Sequence, residues 1–275
     1  VFITFYLHTI IYIYDNKWYA THMDFRYSAG VIADNDRDDA LEQNKILISV
    51  EVVLLTIKDG RLMVLLSKRL APPFLDFWTL PSEILRQDIG ERGEDPNQTV
   101  FRILKNKINF TEKIQYKEQL KTYATPNRDP REQRVVSIAY LCIGADLKEP
   151  KEAERESLFT FTPIEEIMAN EGDLLAFDHF EIISDAVNRT KAKLEYSSIG
   201  CCFCSQKFTI GELRRVYEII WNTALDAGNF QRKVLSSPGF LTDTGLNTVS
   251  TQARGRPGKL YHPGPEEFLK FPIRY

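Results

Sequence analysis

The sequence predicts a mixed α/β domain followed by a smaller helix–helix–hairpin module. Three observations carry this reading. Apolar, β-branched runs at 46–57 (ILISVEVVLLTI) and 62–66 (LMVLL) meet at Asp59-Gly60, the signature of a tight β-hairpin. Thr209 and Glu212 form a capping box before apolar positions Leu213, Val216, Tyr217, Ile220 and Trp221, the spacing of one helix face. The chain has 275 residues with 43% hydrophobic and 27% charged side chains, which fits about two globular domains and excludes fibrous, collagen-like or wholly disordered classes.

The remaining elements follow in order. Residues 70–96 hold Pro72, Pro73, Pro81, Gly90, Gly93 and Pro96 and are expected to form a long loop. Asp95-Pro96 supplies an N-cap and a first-turn proline for a helix that carries Val100, Leu104 and Ile108 on one face. Strands are expected at 118–125 and 134–143, and Thr162-Pro163 opens a short helix to about Ala169. Asp178 with Glu181 gives a cap-like start to a further helix with Ile183, Ala186, Val187 and Leu194 as its stripe. After the capping-box helix, a second helix is expected from Asn229 to Leu235, ending at Ser236-Ser237-Pro238-Gly239, and a β-hairpin over 240–262. Mixed α/β elements followed by helix, helix and hairpin divide the chain into an extension and linker at 1–44, an α/β domain at 45–174, a linker helix and connector at 175–206, and a last domain at 207–275.

Residues 1–14 (VFITFYLHTIIYIY) are apolar but too few to span a bilayer, and they lack a basic leader or a small-residue cleavage site. They are expected either to add a strand or, if the natural start is Met23, to lie upstream of it. Four cysteines, three of them at Cys201, Cys202 and Cys204, are too sparse for a disulfide scaffold, so a reducing, cytoplasmic compartment is expected. Zinc would need ligands that the cysteine cluster does not have nearby, and packed free thiols are the expected state. His179 is expected to serve a helix end or an interface, and no nucleophilic triad can be drawn from four scattered histidines.

Residues 78–110 (WTLPSEILRQDIGERGEDPNQTVFRILKNKINF) resemble the Nudix hydrolase box. Trp78, Leu80 and Pro81 match its lead-in. Glu94 stands eight residues before Arg102, and Leu104 and Phe110 match its apolar positions. The resemblance implies an α/β/α sandwich with a mixed sheet. Its box glycine falls on Asp88, its late glycine on Asn109, and its three metal-binding glutamates on Ile103, Asn106 and Lys107. Between Pro96 and Asn109 the chain has no carboxylate and has the three cations Arg102, Lys105 and Lys107. Hard divalent ions need oxygen ligands, and an ammonium in a ligand position repels them. No metal or other cofactor is therefore expected, and hydrolysis is disfavoured. The alternative is a Mg²⁺-dependent hydrolase of ADP-ribose or a related nucleoside diphosphate derivative, using Glu83, Glu91 or Glu94. A degenerate scaffold can still bind a phosphorylated metabolite, and Arg69, Trp78, Glu83, Arg102 and Arg134 are the candidate ligand contacts.

Net charge is −3, with 35 basic and 38 acidic residues, so any nucleic-acid role must come from a local patch. Residues 207–262 supply one, with eight cations against four acids. Helix, helix and hairpin is the order of a winged helix, whose later helix enters the major groove. Asn229, Gln231, Arg232 and Lys233 sit near the start of that helix and can bond base edges or phosphates. Arg254-Gly255-Arg256-Pro257 is thin enough for a narrow minor groove, with Lys259 beside it. The stretches 175–196, 208–221, 229–235, 239–245 (GFLTDTG) and 254–261 (RGRPGKLY) are similar to the Nudix-related transcriptional regulators. That resemblance implies a homodimeric, metabolite-responsive regulator of an operator in double-stranded DNA, with an ADP-ribose-type metabolite or a sugar as effector and a role in NAD or sugar metabolism. It also implies that Arg232 and Lys233 lie on the recognition helix and Arg254, Arg256 and Lys259 on the wing. A protein-interaction module without a DNA role is the third reading.

Overall fold

In the computed structural model, the described residues are 5–6, 9–14, 17–22, 46–87, 93–110, 113–148, 150, 158–248, 258–269 and 272–273. Residues 1–45 and 46–275 form two compact units. The first holds an antiparallel meander of β1 (Phe5–Tyr6), β2 (Thr9–Tyr14) and β3 (Lys17–His22). The extended backbone expected for the apolar N-terminal run is present there.

The second unit is built on a sheet of β4 (Leu47–Lys58), β5 (Arg61–Lys68), β8 (Ile114–Tyr123), β9 (Val135–Gly144) and β10 (Phe159–Pro163), in the order β10-β5-β4-β9-β8. Strands β4 and β9 run parallel and the other neighbours antiparallel, so the sheet is mixed. Asp59 (φ 52) and Gly60 (φ 75) turn the β4–β5 hairpin; positive φ at both central residues is what a type I′ turn demands. The stretch expected as one long loop contains two short strands, β6 (Trp78–Thr79) on β5 and β7 (Ser82–Ile84) on β4.

Side-chain alternation assigns the two faces. Val50, Val52 and Leu54 meet Val100, Ile103, Leu104 and Ile108 on one side. Val100 lies on α1 (Pro96–Arg102), Ile103 and Leu104 on the π turn that continues it (Ile103–Lys107), and Ile108 at the C-cap of that turn. Asp95 caps α1 as expected, and Gln98 completes a capping box. The π turn closes through Ile108 N–H to Ile103 C=O, and Asn109 then takes φ 54, a left-handed geometry at the position of the late glycine.

Val53, Leu55, Leu141 and Ile143 face the other way, toward α2 (Ile164–Ala169) and α3 (His179–Leu194). The same apolar cluster continues without a break into the C-terminal module. It takes in Ile199, Cys201 and Phe203 of a 3₁₀ turn (Ser198–Phe203), then Leu213, Val216, Tyr217 and Ile220 of α4 (Ile210–Trp221). Phe230 and Val234 of α5 (Ala227–Ser236) complete it. The buried residues of 175–206 thus share one core with both the sheet and the C-terminal helices. The cysteines are free thiols: Cys201, Cys202 and Cys204 pack in or against this cluster and Cys142 in the cluster on the other sheet face, and burial pushes Cys142 and Cys204 up to about 12 and Cys202 to about 11.

The capping box of α4 forms as expected, with Thr209 Oγ1 accepting from Glu212 N–H at 3.1 Å. Helix α5 starts two residues before its expected start, because Asp226 accepts from Asn229 N–H at 2.7 Å and caps it. The hairpin is β11 (Leu241–Asn247) with β12 (Lys259–Pro263), and Phe208 pairs with Tyr261 to tie it to the helices. An α/β/α sandwich with a mixed sheet and a C-terminal winged helix is the result. Among the described residues, no helix is long and apolar enough to cross a membrane.

Candidate functional site

A cleft of about 260 Å³ opens beside β4, β7 and the β8–β9 loop. Its floor is a buried polar network. Glu51 is the only charge in the run 46–57 and is 3% exposed. Its Oε1 accepts from Ser137 Oγ at 2.6 Å, and Ser137 Oγ accepts from Arg128 Nη1 at 2.5 Å. Arg128 also clamps Asp178, with Nε to Oδ2 at 2.7 Å and Nη2 to Oδ1 at 2.5 Å. This explains why Asp178 does not cap α3 with its side chain: both oxygens are spent on Arg128.

His179 completes the network. Leu80 N–H donates to its Nδ1 at 2.9 Å, and its Nε2 faces Glu51 Oε1 at 3.8 Å. Burial opposes the charge of Glu51, but His179, Arg128 and Ser137 outweigh it and bring its pKa below the ordinary value. Glu51 Oε2 keeps no partner among the described residues.

The cleft wall carries Arg69, Phe177 and Arg131. Phe177 is held at φ 58 with the Arg69 guanidinium 4.8 Å and the Arg131 guanidinium 5.6 Å from its ring centre. Arg69 donates to the carbonyls of Pro73 (2.7 Å) and Ala71 (3.2 Å); burial and then the Arg131 charge lower its pKa. Arg131 pairs with Asp129.

Glu83 and Lys107 line this cleft and also a second cavity of about 430 Å³ beside α1. Arg102 reaches Glu83 Oε2 with Nη1 at 3.2 Å, donates to the Ile84 carbonyl at 3.0 Å, and pairs with Glu94. Lys107 Nζ donates to Ser82 C=O at 2.8 Å and Glu83 Oε1 at 3.2 Å. The hydrogen bonds from Arg102 hold the Glu94 pKa down to about 2. The surviving carboxylates are thus neutralised by cations. Among the described residues, no cluster of three or more His, Cys, Asp or Glu is arranged to hold a metal ion.

Of the expected ligand residues, the fold brings Arg69, Glu83 and Arg102 to these adjacent cavities. Trp78 lines a separate cavity of about 380 Å³ with Leu66, Ile167 and Leu175, because β6 turns its ring toward α2. Arg134 donates to the Ala124 carbonyl at 3.0 Å at the exposed start of β9, outside both cavities. Glu51, Arg128, Arg131, Phe177 and His179 were not among the expected contacts. A lone carboxylate inside an apolar strand was the signal for the first of them.

In the winged helix, Asn229, Gln231 and Arg232 are exposed on α5, with Arg232 Nη2 bonded to Asn229 Oδ1 at 2.9 Å. Lys233 lies half-buried on the same helix, beside a cavity of about 230 Å³ that Phe230 and Ile273 also line. Lys259 pairs with Asp243 at 2.9 Å across the hairpin base. Arg254 and Arg256 fall outside the described residues.

Residues 200–262 match the NrtR DNA-binding winged helix domain. The chain is similar to the ADPR responsive transcriptional repressor NtrR of Acinetobacter baylyi, with 24% identity over 227 residues, 82% of this chain and 86% of that protein. It also resembles the crystal structure of Shewanella oneidensis NrtR complexed with a 27mer DNA, at a TM-score of 0.70 and 29% identity over 82% of this chain and 99% of that one. A MutT/nudix family protein from Enterococcus faecalis gives a TM-score of 0.62 and 26% identity over 80% and 88%. The chain thus joins a Nudix-like α/β/α domain to an NrtR-type winged helix, the architecture of the Nudix-related transcriptional regulators.

Proposed function

We propose that this protein is a metabolite-responsive transcriptional regulator that binds operator DNA through α5 and the β11–β12 wing and senses ADP-ribose, or a related phosphorylated metabolite, in the adjacent cavities of its Nudix-like domain. The match of residues 200–262 to a DNA-binding winged helix carries the reading. Two relatives support it by what they bind: Shewanella NrtR was crystallised with DNA, and the Acinetobacter relative is an ADPR-responsive repressor. The cleft supports the effector class, because an aromatic ring with two guanidinium groups close by suits a base or ribose beside phosphate.

We infer a homodimer in the cytoplasm as well. Winged helices that read palindromic operators need two-fold pairs, and a shift in half-site spacing is an efficient way to control them. Light scattering on the purified chain checks the dimer.

The test is a mobility shift with DNA from the chain's own genomic neighbourhood, with and without ADP-ribose. Retention that falls with salt, and that ADP-ribose alters, is the expected result. Arg254→Ala and Arg256→Ala should each lower the salt slope by about one. Retention that ignores salt and all three of Arg232→Ala, Arg254→Ala and Arg256→Ala would favour a protein-interaction module. Mg²⁺-dependent turnover of ADP-ribose, lost in Glu94→Gln, would restore the hydrolase.

A further inference from the structure

The cavity of about 430 Å³ beside α1 is lined by four cationic side chains, Lys68, Arg86, Arg102 and Lys107, against the single carboxylate of Glu83. In the Nudix-like frame this is where a divalent cation would bridge protein carboxylates to a diphosphate. The donor set does not fit such an ion. Ile103 is fully buried in the core, and Asn106 and Lys107 present a carboxamide and an ammonium to the cavity. Glu83 and Glu94 already serve Arg102, and Glu83 also serves Lys107. Hard cations are held chiefly by free carboxylates, and this wall offers none that is not already paired with a cation.

The same groups suit an anion. An ammonium has three donors, and Lys107 uses two of them, on Ser82 C=O and Glu83. Those two bonds fix Nζ at the wall shared with the smaller cleft. Arg86 lies exposed at the rim, and its guanidinium has no partner among the described residues. Arg102 is held rigid by Glu83, Glu94 and the Ile84 carbonyl, and so presents a fixed charge.

We propose that this cavity is a metal-free oxyanion subsite in which Lys107, with Arg86 and Arg102, receives a diphosphate directly. Fixed ammonium and guanidinium charges stand where other scaffolds of this shape would need a divalent ion. The proposal rests on the effector reading for the identity of the ligand, but its chemistry is that of any diphosphate. It also gives a reason for sensing without cutting. An ammonium neutralises phosphate but does not generate hydroxide from a bound water, so the occupied state persists.

Isothermal titration of the full chain with ADP-ribose and with inorganic pyrophosphate, in EDTA and in Mg²⁺, tests it. Both ligands are expected to bind in EDTA. The loss of one charge-assisted hydrogen bond in Lys107→Gln should weaken both by about tenfold or more. Arg86→Gln, an exposed change that the fold tolerates, should weaken both about threefold or more. Thermal melts followed by circular dichroism check that the variants are folded. Binding that disappears in EDTA and returns with Mg²⁺ overturns the proposal, as do wild-type affinities in both variants. If pyrophosphate binds through Lys107 but ADP-ribose does not bind, the subsite stands and the effector reading falls. If ADP-ribose binds with no contribution from Lys107 or Arg86, the effector reading stands and the subsite falls.

Discussion

Arg128 decides whether the cleft floor is stable. Its side chain is 3% exposed and neutralises Asp178 directly and Glu51 at 3.7 Å, so it cannot be deleted without leaving two carboxylates short of a counter-charge. Breaking a buried pair in this way costs about 3–5 kcal/mol, far above the worth of an exposed pair. Arg128→Ala should therefore lower the urea midpoint by that equivalent, and a loss under 1 kcal/mol would show that the network is not structural. Glu94 makes a pH-resolved case. Its folded pKa of about 2 lies below its ordinary 4.5, so its ionised form contributes stability fully above about 4.5, and that contribution disappears as pH falls toward 2. Glu94→Gln should cost about 1–3 kcal/mol near neutrality, by weakening the hold on Arg102, and progressively less below pH 4.5. A penalty that stays constant from pH 7 to 3 in chemical denaturation would show that the Arg102–Glu94 charge pair is not its source.

Elements were legible in the sequence where local chemistry alone decides them. Asp59-Gly60 forces one turn type, Asp95-Pro96 and Thr209 with Glu212 mark two helix starts, and α4 shows its face by spacing. What escaped was set at long range. Strands β6 and β7 are two and three residues long and form because β5 and β4 offer them edges, which no local pattern announces. Asp178 looked like a helix cap but is used by Arg128, 50 residues away in sequence. The site divided in the same way. Lys107 was visible as a cation in a carboxylate position, whereas Arg131 and Phe177 meet only because the β8–β9 loop folds back over the turn before α3. Packing between elements also explains one glycine. A Cβ on Gly200 would lie 2.7 Å from the buried ring of Tyr217, where the 3₁₀ turn crosses α4. Gly200→Ala should therefore overpack this junction and cost about 1–3 kcal/mol in thermal or chemical melts. A neutral outcome would mean that the α3–α4 junction has slack that the packing does not show.

Across the molecule, one helix touches both functions. The N-terminal end of α3 holds its N-cap residue Asp178 and its first residue His179 against the cleft, and its last turns support the winged helix, where Trp221 Nε1 donates to the Lys191 carbonyl at 3.1 Å and Leu194 packs in the shared core. Sixteen residues at 1.5 Å per residue make a rod of about 24 Å, stiff enough to carry a displacement from one end to the other. The uninterrupted apolar cluster matters here, because a loosely tethered winged helix would not follow α3. An anionic effector that draws on Arg128 or Arg131 competes with Asp178 and Asp129 for the same guanidinium groups, so occupancy of the cleft bears on how the start of α3 is held. Such coupling must be reciprocal. If ADP-ribose changes operator affinity by some factor, the operator changes ADP-ribose affinity by the same factor, and about 5–150-fold is the usual range. Titrating ADP-ribose into the free chain and into its DNA complex measures this directly. Trp221→Phe removes the indole donor at the far end of α3 while leaving the cleft and the α5 face intact. It should shrink the factor while leaving ADP-ribose affinity for the free chain unchanged. Equal ADP-ribose affinity with and without DNA in the wild type would separate the two functions and leave α3 as scaffold alone.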